Sequence, residues 1–317
     1  MPRFAVLQDD KTLQVQDLPA VELAAGQARV RVNAAGVNFW EIMQREGRVP
    51  APPRGVPGSE GAGVVVEVAD GVDTLTPGQR VAWSRVPGSY GEEVVAAATD
   101  FLPIVDALDD ESAASLLFQG VTAQYLATDA WPLDAGDVAV VTAASGGVGV
   151  LLTQLLVHRG VRVLGVTSSE AKQATALEAG AETVLSYDDN LADQVRELVP
   201  DGVAAVYDAV GGSWPRVLLP TLRARGAMVL YGSASGTESD LGARDLGAGS
   251  WYLTRTAGRD YARTPAEAQG RAAVVLDLGA QGALRPHIGG RYPLADAGAA
   301  LNDMAGRSTT GKLLIVP

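Results

Sequence analysis

Residues 138–149, Val-Ala-Val-Val-Thr-Ala-Ala-Ser-Gly-Gly-Val-Gly, carry the most specific chemical signal in the chain. A strand-like apolar run gives way to a glycine turn and then to helical sequence. That order suits a dinucleotide. Gly146 lets the backbone approach a pyrophosphate, and Gly149 allows close helix–strand packing. A helix starting through Gly147 and Val148 offers unpaired N–H groups and the positive end of its dipole to phosphates. Ala144 stands where the G-x-G-x-x-G fingerprint has its first glycine. The alternative is an ordinary tight turn between a strand and a helix.

The next strand bears on which dinucleotide fits. An NAD site places Asp or Glu about 20 residues on, to bind the ribose 2′-hydroxyl. Here residues 161–166 run into Thr167-Ser168-Ser169, with Lys172 one helical turn later. Hydroxyls and a cation suit a 2′-phosphate, which a carboxylate would repel, so NADPH is expected over NADH. The alternative is that Ser168 or Ser169 caps the next helix and Lys172 is a solvated surface residue. The chain has only three lysines, Lys11, Lys172 and Lys312, which weighs against chance placement.

These residues need a scaffold. Strand patterns at 138–143, 161–166, 183–185, 204–208 and 227–231 alternate with helical stretches such as 150–159 and 170–179. That alternation predicts a parallel sheet with right-handed crossovers. Residues 109–128 read as a helix, and 232–249 as a polar, glycine-rich loop. Residues 265–278 read as a helix and 312–316 as a terminal strand. The first ~115 residues read as short strands (28–32, 63–68, 80–82) between Gly/Pro turns, a compact mostly-β domain.

Composition narrows the function classes. The 317 residues suggest about two domains, and 47% hydrophobic with 20% charged residues is ordinary globular composition. The 37 glycines exceed common usage and imply tight turns and close backbone approaches. A net charge of −12 disfavours nucleic acid and anionic membrane as partners. With no cysteine, disulfides, thiolate metal sites and cysteine nucleophiles are excluded; with only His158 and His287, sites built on several imidazoles are not expected. The Met-Pro-Arg-Phe opening reads as strand rather than signal peptide, and no apolar run reaches membrane-spanning length. A cytoplasmic protein is expected.

Several segments together resemble one family: 143–149, Thr167-Ser-Ser-Glu-Ala-Lys172, Val206-Tyr-Asp-Ala-Val-Gly211, Gly36-Val-Asn-Phe39, Pro57-Gly-Ser-Glu-Gly-Ala-Gly63, Gly78-Gln-Arg-Val81, Gln119-Gly-Val-Thr122 and Gly311-Lys312. They resemble the zinc-independent quinone oxidoreductases, the zeta-crystallin-like branch of the medium-chain dehydrogenases/reductases, in order over nearly the whole chain. The resemblance implies an α/β architecture: a GroES-like mostly-β domain from 1–117 and 267–317, and a doubly wound Rossmann NADPH-binding domain from 118–266. It implies an active site in the cleft between them and a homodimer.

It also implies site roles. Asn38 is expected near the nicotinamide and the substrate carbonyl, as donor or positioning group; the alternative is an Asn closing a turn. Thr122 is expected at the nicotinamide end, Ala144 and Gly146 to Gly149 around the pyrophosphate, and Ser168, Lys172 and Tyr187 around the 2′-phosphate and adenine. For Tyr187, packing under a loop is the alternative. Zinc-dependent relatives carry His where this chain has Ser59, so no metal site is expected. Without a Lewis acid, an already electrophilic acceptor is the fitting substrate.

The expected activity is therefore hydride transfer to a small-molecule electrophile, a quinone or α,β-unsaturated carbonyl. Alternatives are an enoyl-thioester or polyketide-pathway enoyl reductase, and a non-catalytic NADPH-binding sensor or structural protein. Glu41, Met43 and Val49 replace the Asp and tyrosines of many quinone reductases, which favours a bulkier or less polar enone. Trp40, Trp83, Trp251 and Tyr252 are candidate pocket walls; the alternative is buried packing, the commoner fate of single tryptophans. His158 and His287 read as bland, leaving solvent or a tyrosine to supply the proton.

Overall fold

The structure, a computed structural model, describes residues 1–306 and 309–317. The chain divides into two compact units, Met1–Gln119 with Ala272–Pro317, and Gly120–Arg271.

In the first unit the N-terminal strands are β1 (Arg3–Leu7), β2 (Leu13–Asp17) and β3 (Gln27–Gly36). Helix α1 (Phe39–Glu46) follows, then β4 (Glu60–Val68), β5 (Arg80–Ser84), β6 (Glu93–Ala97) and β7 (Leu102–Pro103). The long β3 is the hub of this sheet, paired antiparallel to both β4 and β6. The glycines of 58–63 suggest a loop, but Glu60–Gly63 opens β4. Glycine permits this by close approach. A Cβ at Gly63 would lie 2.0 Å from the Arg31 carbonyl oxygen, and one at Gly61 would lie 2.5 Å from the Trp83 ring.

Helix α2 (Asp110–Tyr125) leads into the second unit. There β8 (Val138–Thr142), α3 (Gly147–His158), β9 (Arg162–Thr167), α4 (Gln173–Glu178) and β10 (Thr183–Ser186) alternate as the pattern predicts. They continue through α5 (Leu191–Leu198), β11 (Val203–Asp208), α6 (Trp214–Leu218), β12 (Leu222–Leu230) and β13 (Tyr252–Arg255). The sheet order is β10-β9-β8-β11-β12-β13, with every pairing parallel. The chain winds outward from β8 to β10, then crosses back to β11. The winding direction therefore reverses between β8 and β11, where open parallel sheets bind ligands beyond the carboxyl ends of their strands. Val140, Leu164, Val206 and Met228 lie in the apolar core of this unit.

Helix α7 (Pro265–Ala280) returns the chain to the first unit, followed by β14 (Ile288–Pro293), α8 (Ala297–Ala305) and β15 (Lys312–Val316). β15 pairs parallel to β14 and antiparallel to β3, and its Leu313, Leu314 and Ile315 are fully buried.

Gly149 shows how local packing sets the glycine turn. A Cβ there would lie 2.2 Å from the Ala143 carbonyl oxygen and 2.8 Å from Ala144 Cα, whereas at Gly146 the nearest atom lies at 3.2 Å. Ala144 is accommodated because Gly165 of β9 faces it: a Cβ at Gly165 would lie 3.1 Å from that of Ala144. Gly149→Ala is expected to cost about 1–3 kcal/mol through overpacking against backbone, and Gly146→Ala distinctly less. Urea midpoints of the two variants check the order; equal losses would contradict it.

Candidate active site

In the second unit, the carboxyl ends of β8, β9 and β10 carry the expected cofactor residues. α3 begins at Gly147 with Gly146 as N-cap, so the N–H groups of Gly147, Val148 and Gly149 occupy the helix's first turn. Ala143, just before, has a left-handed backbone (φ 49°), and its N–H donates to the Tyr187 hydroxyl at 2.7 Å. The Tyr187 ring packs on Trp214, with centroids 4.8 Å apart. Burial pushes the Tyr187 phenol well up from its ordinary value. Tyr187 thus ties the end of β10 to the glycine turn.

The switch point is cross-linked. The Thr142 hydroxyl donates to Asp208 Oδ1 at 2.9 Å and accepts from the Ala209 N–H at 2.9 Å, while the Gly211 N–H donates to Asp208 Oδ2 at 2.7 Å. Burial raises the Asp208 carboxyl's pKa, partly offset by the Gly211 N–H. Ser168 lies exposed just beyond β9. Ser169 occupies the N-cap position of the short turn Glu170–Lys172 without a side-chain capping bond, and Lys172 is half-buried at its end. Burial lowers the Lys172 pKa. Thr122 lies half-buried on α2.

The first unit holds a buried polar cluster around Asn38, which occupies the N-cap position of α1. Its backbone N–H donates to Glu41 Oε2 at 2.8 Å, a reach-back characteristic of a capping box. Its side-chain Oδ1 accepts from Lys312 Nζ at 2.7 Å and from Gln119 Nε2 at 2.5 Å. Its Nδ2 is buried and has no partner among the described residues. Lys312 Nζ also donates to Gln119 Oε1 at 2.9 Å and forms a buried ion pair with Glu60 Oε1. Glu60 Oε2 accepts from the Phe118 N–H at 2.9 Å. Gly36 makes room for this: a Cβ there would lie 2.5 Å from Glu60 Oε1 and 2.6 Å from Lys312 Cε.

Sequence reasoning singles out Asn38 but not the clamp of Glu60, Gln119 and Lys312. The available signal is a lysine heading the apolar run 313–316, since a charge in that setting requires a partner.

Ser59 and Glu41 occupy the neighbouring corner. The Ser59 hydroxyl donates to Glu41 Oε1 in a short hydrogen bond. Burial pushes Glu41 up to about 7, partly offset by Ser59 and by the charge of Lys312. This donor set does not fit zinc: Ser59 is a hydroxyl already engaged by Glu41, and Glu60 is engaged by an ammonium. Among the described residues, no group of three or more His, Asp or Glu side chains is placed to hold a metal.

Of the candidate pocket walls, Trp83 takes the alternative, buried packing. It is fully buried, edge-on to Phe101, with its indole N–H donating to Ser89 at 2.8 Å, because β5 points it into the core. Trp251 packs against the second unit's core and donates to the Arg223 carbonyl. Trp40 and Phe39 are exposed on α1, and Tyr252 on β13. His158 is exposed at the end of α3, and His287 lies 3.2 Å from the Thr310 hydroxyl.

Known proteins share this organisation. The family described as alcohol dehydrogenase GroES-like domain matches residues 24–133, and the one described as zinc-binding dehydrogenase matches 147–285. A quinone oxidoreductase of Pseudomonas aeruginosa is 35% identical over 99% of this chain and 98% of its own. A 2-haloacrylate reductase of a Burkholderia species is 35% identical over 92% of this chain and 91% of its own. A mycobacterial protein solved in complex with NADPH superposes with a TM-score of 0.92 at 36% identity, covering all of both chains.

The Glu41 environment has a measurable consequence. Native Glu41 holds its proton to about pH 7, whereas the unfolded chain releases it near the ordinary 4.5. The native state then binds the extra proton between these values, so the contribution is fully present below 4.5 and is lost as pH rises through 7. Its size is on the order of 3 kcal/mol. Glu41→Gln is expected to flatten that part of the fall, read as urea-unfolding free energies from pH 4.5 to 8. Parallel pH slopes in the two proteins would contradict the assignment.

Proposed function

Because the chain belongs to the quinone oxidoreductase (zeta-crystallin-like) family of medium-chain dehydrogenases/reductases, we propose that it reduces a quinone or an α,β-unsaturated carbonyl compound without zinc. It is an NADPH-dependent oxidoreductase, and bound NADPH supplies the hydride. We assign cofactor binding to residues 118–266 and the substrate-facing role to 1–117 with 267–317.

The observation that carries the cofactor reading is the end of β9. Thr167-Ser168-Ser169 leads to Lys172 with no carboxylate, and Ser169 makes no side-chain cap that would otherwise account for it. Ser168 and Lys172 are the 2′-phosphate readers. The first turn of α3 and the close-packed Gly146 and Gly149 receive the pyrophosphate, with Ala144 at their base, Tyr187 bracing the turn and Thr122 at the nicotinamide end.

On the substrate side, Asn38 is the catalytic donor. As hydride adds to the conjugated carbon, the electron pair moves to the carbonyl oxygen, where the Asn38 Nδ2–H stabilises the growing charge. A proton from water completes the reduction. Exposed Phe39 and Trp40 beside Asn38 favour an apolar electrophile. Similarity to the 2-haloacrylate reductase supports an acceptor with a C=C bond conjugated to a carbonyl group. The absence of cysteine, together with Ser59 bound to Glu41, supports zinc-free chemistry.

We also propose a cytoplasmic homodimer that binds neither nucleic acid nor membrane. Among the described residues, no helix is long and apolar enough to cross a membrane. The net charge of −12 disfavours polyanions. The β13 edge, with Tyr252 exposed, offers a surface for a second copy.

The test is NADPH and NADH oxidation with a quinone and an enone as acceptors, alongside titration of both cofactors. NADPH is expected to bind more tightly and to turn over with both acceptors. Lys172→Ala is expected to weaken NADPH by about 1–3 kcal/mol, the range for a lost charge-assisted contact, and NADH far less. Tighter NADH binding, or equal weakening of both cofactors, would overturn the assignment.

A further inference from the structure

A carboxamide ends in an acceptor oxygen and a donor nitrogen of nearly equal size, so its orientation is set by what faces it. For Asn38 the surroundings decide. An ammonium can only donate, so the Asn38 atom 2.7 Å from Lys312 Nζ must be its oxygen. Gln119 enforces the same choice: its own oxygen faces Lys312 at 2.9 Å, which turns its NH2 toward Asn38. A reversed Asn38 amide would set NH2 against both NH3⁺ and NH2. Glu60, fully buried, neutralises the ammonium and holds it in place.

Lys312 has three N–H groups and three acceptors: Asn38, Glu60 and Gln119. None remains for a substrate. What the cluster leaves over is Asn38 Nδ2, buried and without a partner among the described residues. A buried donor without an acceptor is costly, whereas Asn38 Oδ1, Lys312 Nζ, both Glu60 oxygens and Gln119 Oε1 are all paired. The mismatch falls at the one atom that the proposed function sets against the carbonyl.

We propose that Lys312, held by Glu60, is the positioning residue of the reaction. It locks the Asn38 amide so that only an N–H faces the ligand, and so selects electrophiles that place an acceptor oxygen there. The proposal rests on the reading that Asn38 faces the carbonyl. The ammonium behind the amide oxygen also polarises the amide and strengthens its N–H as a donor. Because the donor is fixed before the ligand arrives, little reorganisation is needed as charge develops on the carbonyl oxygen. An enone, which needs that stabilisation more than a quinone does, depends on the clamp more.

The experiment compares wild type with the paired substitution Lys312→Met/Glu60→Gln, which removes the clamp without leaving a lone buried charge. Asn38→Asp is the second variant; it keeps an acceptor for Lys312 but has no donor. NADPH affinity, kcat and KM are measured with cyclohexenone and with 1,4-benzoquinone, and folding is checked by thermal unfolding. The paired variant is expected to bind NADPH within about threefold of wild type while losing about 100-fold in kcat on the enone, the scale for a lost oxyanion donor. Its loss on the quinone is expected to be at least tenfold smaller. Asn38→Asp is expected to fold and to lose enone turnover similarly. Equal losses on both acceptors, or an Asn38→Asp that retains enone turnover, overturn the proposal. If the paired variant does not fold, Asn38→Asp decides. Wild type that reduces neither acceptor with NADPH would instead defeat the functional reading beneath it.

Discussion

The ion pair between Lys312 and Glu60 is the constraint on which the first unit's polar interior depends. An ammonium removed from water is costly unless a counter-charge and hydrogen-bond acceptors replace the solvent. Glu60, Asn38 and Gln119 supply them, and their placement accounts for features that otherwise look unrelated. β15, from the far end of the sequence, must pair with β3 to bring Lys312 to the site. β4 must carry Glu60 in its first position, and Gly36 must lack a side chain to let the pair approach. Removing one partner from such a pair leaves an uncompensated buried charge, at a cost of about 3–5 kcal/mol. A structural demand of that size also fixes the orientation of a neutral amide, and thereby links stability to chemistry.

The second unit solves a different electrostatic problem. A protein of net charge −12 must bind a polyanion. The local devices we propose for this are the first turn of α3 and a lysine at the end of the turn after β9. Their positions are tied by side chains at the switch point. Thr142 and Asp208 join the ends of β8 and β11, and Tyr187 joins the end of β10 to the glycine turn. The residues proposed to bind the cofactor are thus mounted on a cross-linked sheet edge, which limits the reorganisation that binding requires.

Much of this is legible in the sequence, for identifiable reasons. The alternation of apolar strands and helices over 138–231 is a strong periodic signal: β8, β9, β10 and β11 lie within one residue of where it places them, while β12 begins earlier, at Leu222 instead of residue 227. The glycine turn is legible because sterics leave little choice at Gly149. β13 is not legible: four residues after a glycine-rich loop carry too little pattern, and sheet pairing with β12 decides them. Glu60–Gly63 reads as loop because glycine ordinarily signals a turn. Here it signals backbone packed against its neighbours. Asn38 can be picked out by type and context, but its partners lie as much as 274 residues away. Only tertiary structure reveals that one of the chain's three lysines is the group that orients the asparagine.

If Lys312 acts through Asn38, and not independently of it, the two must be energetically coupled. A double-mutant cycle tests this directly, using the single-turnover rate of NADPH oxidation by an enone. The four proteins are wild type, Asn38→Ala, Lys312→Met/Glu60→Gln, and the combination. Removing the clamp is expected to slow the wild-type background strongly but the Asn38→Ala background by no more than about threefold, a coupling above ~1 kcal/mol between contacting residues. Losses that multiply independently would contradict a role exerted through Asn38.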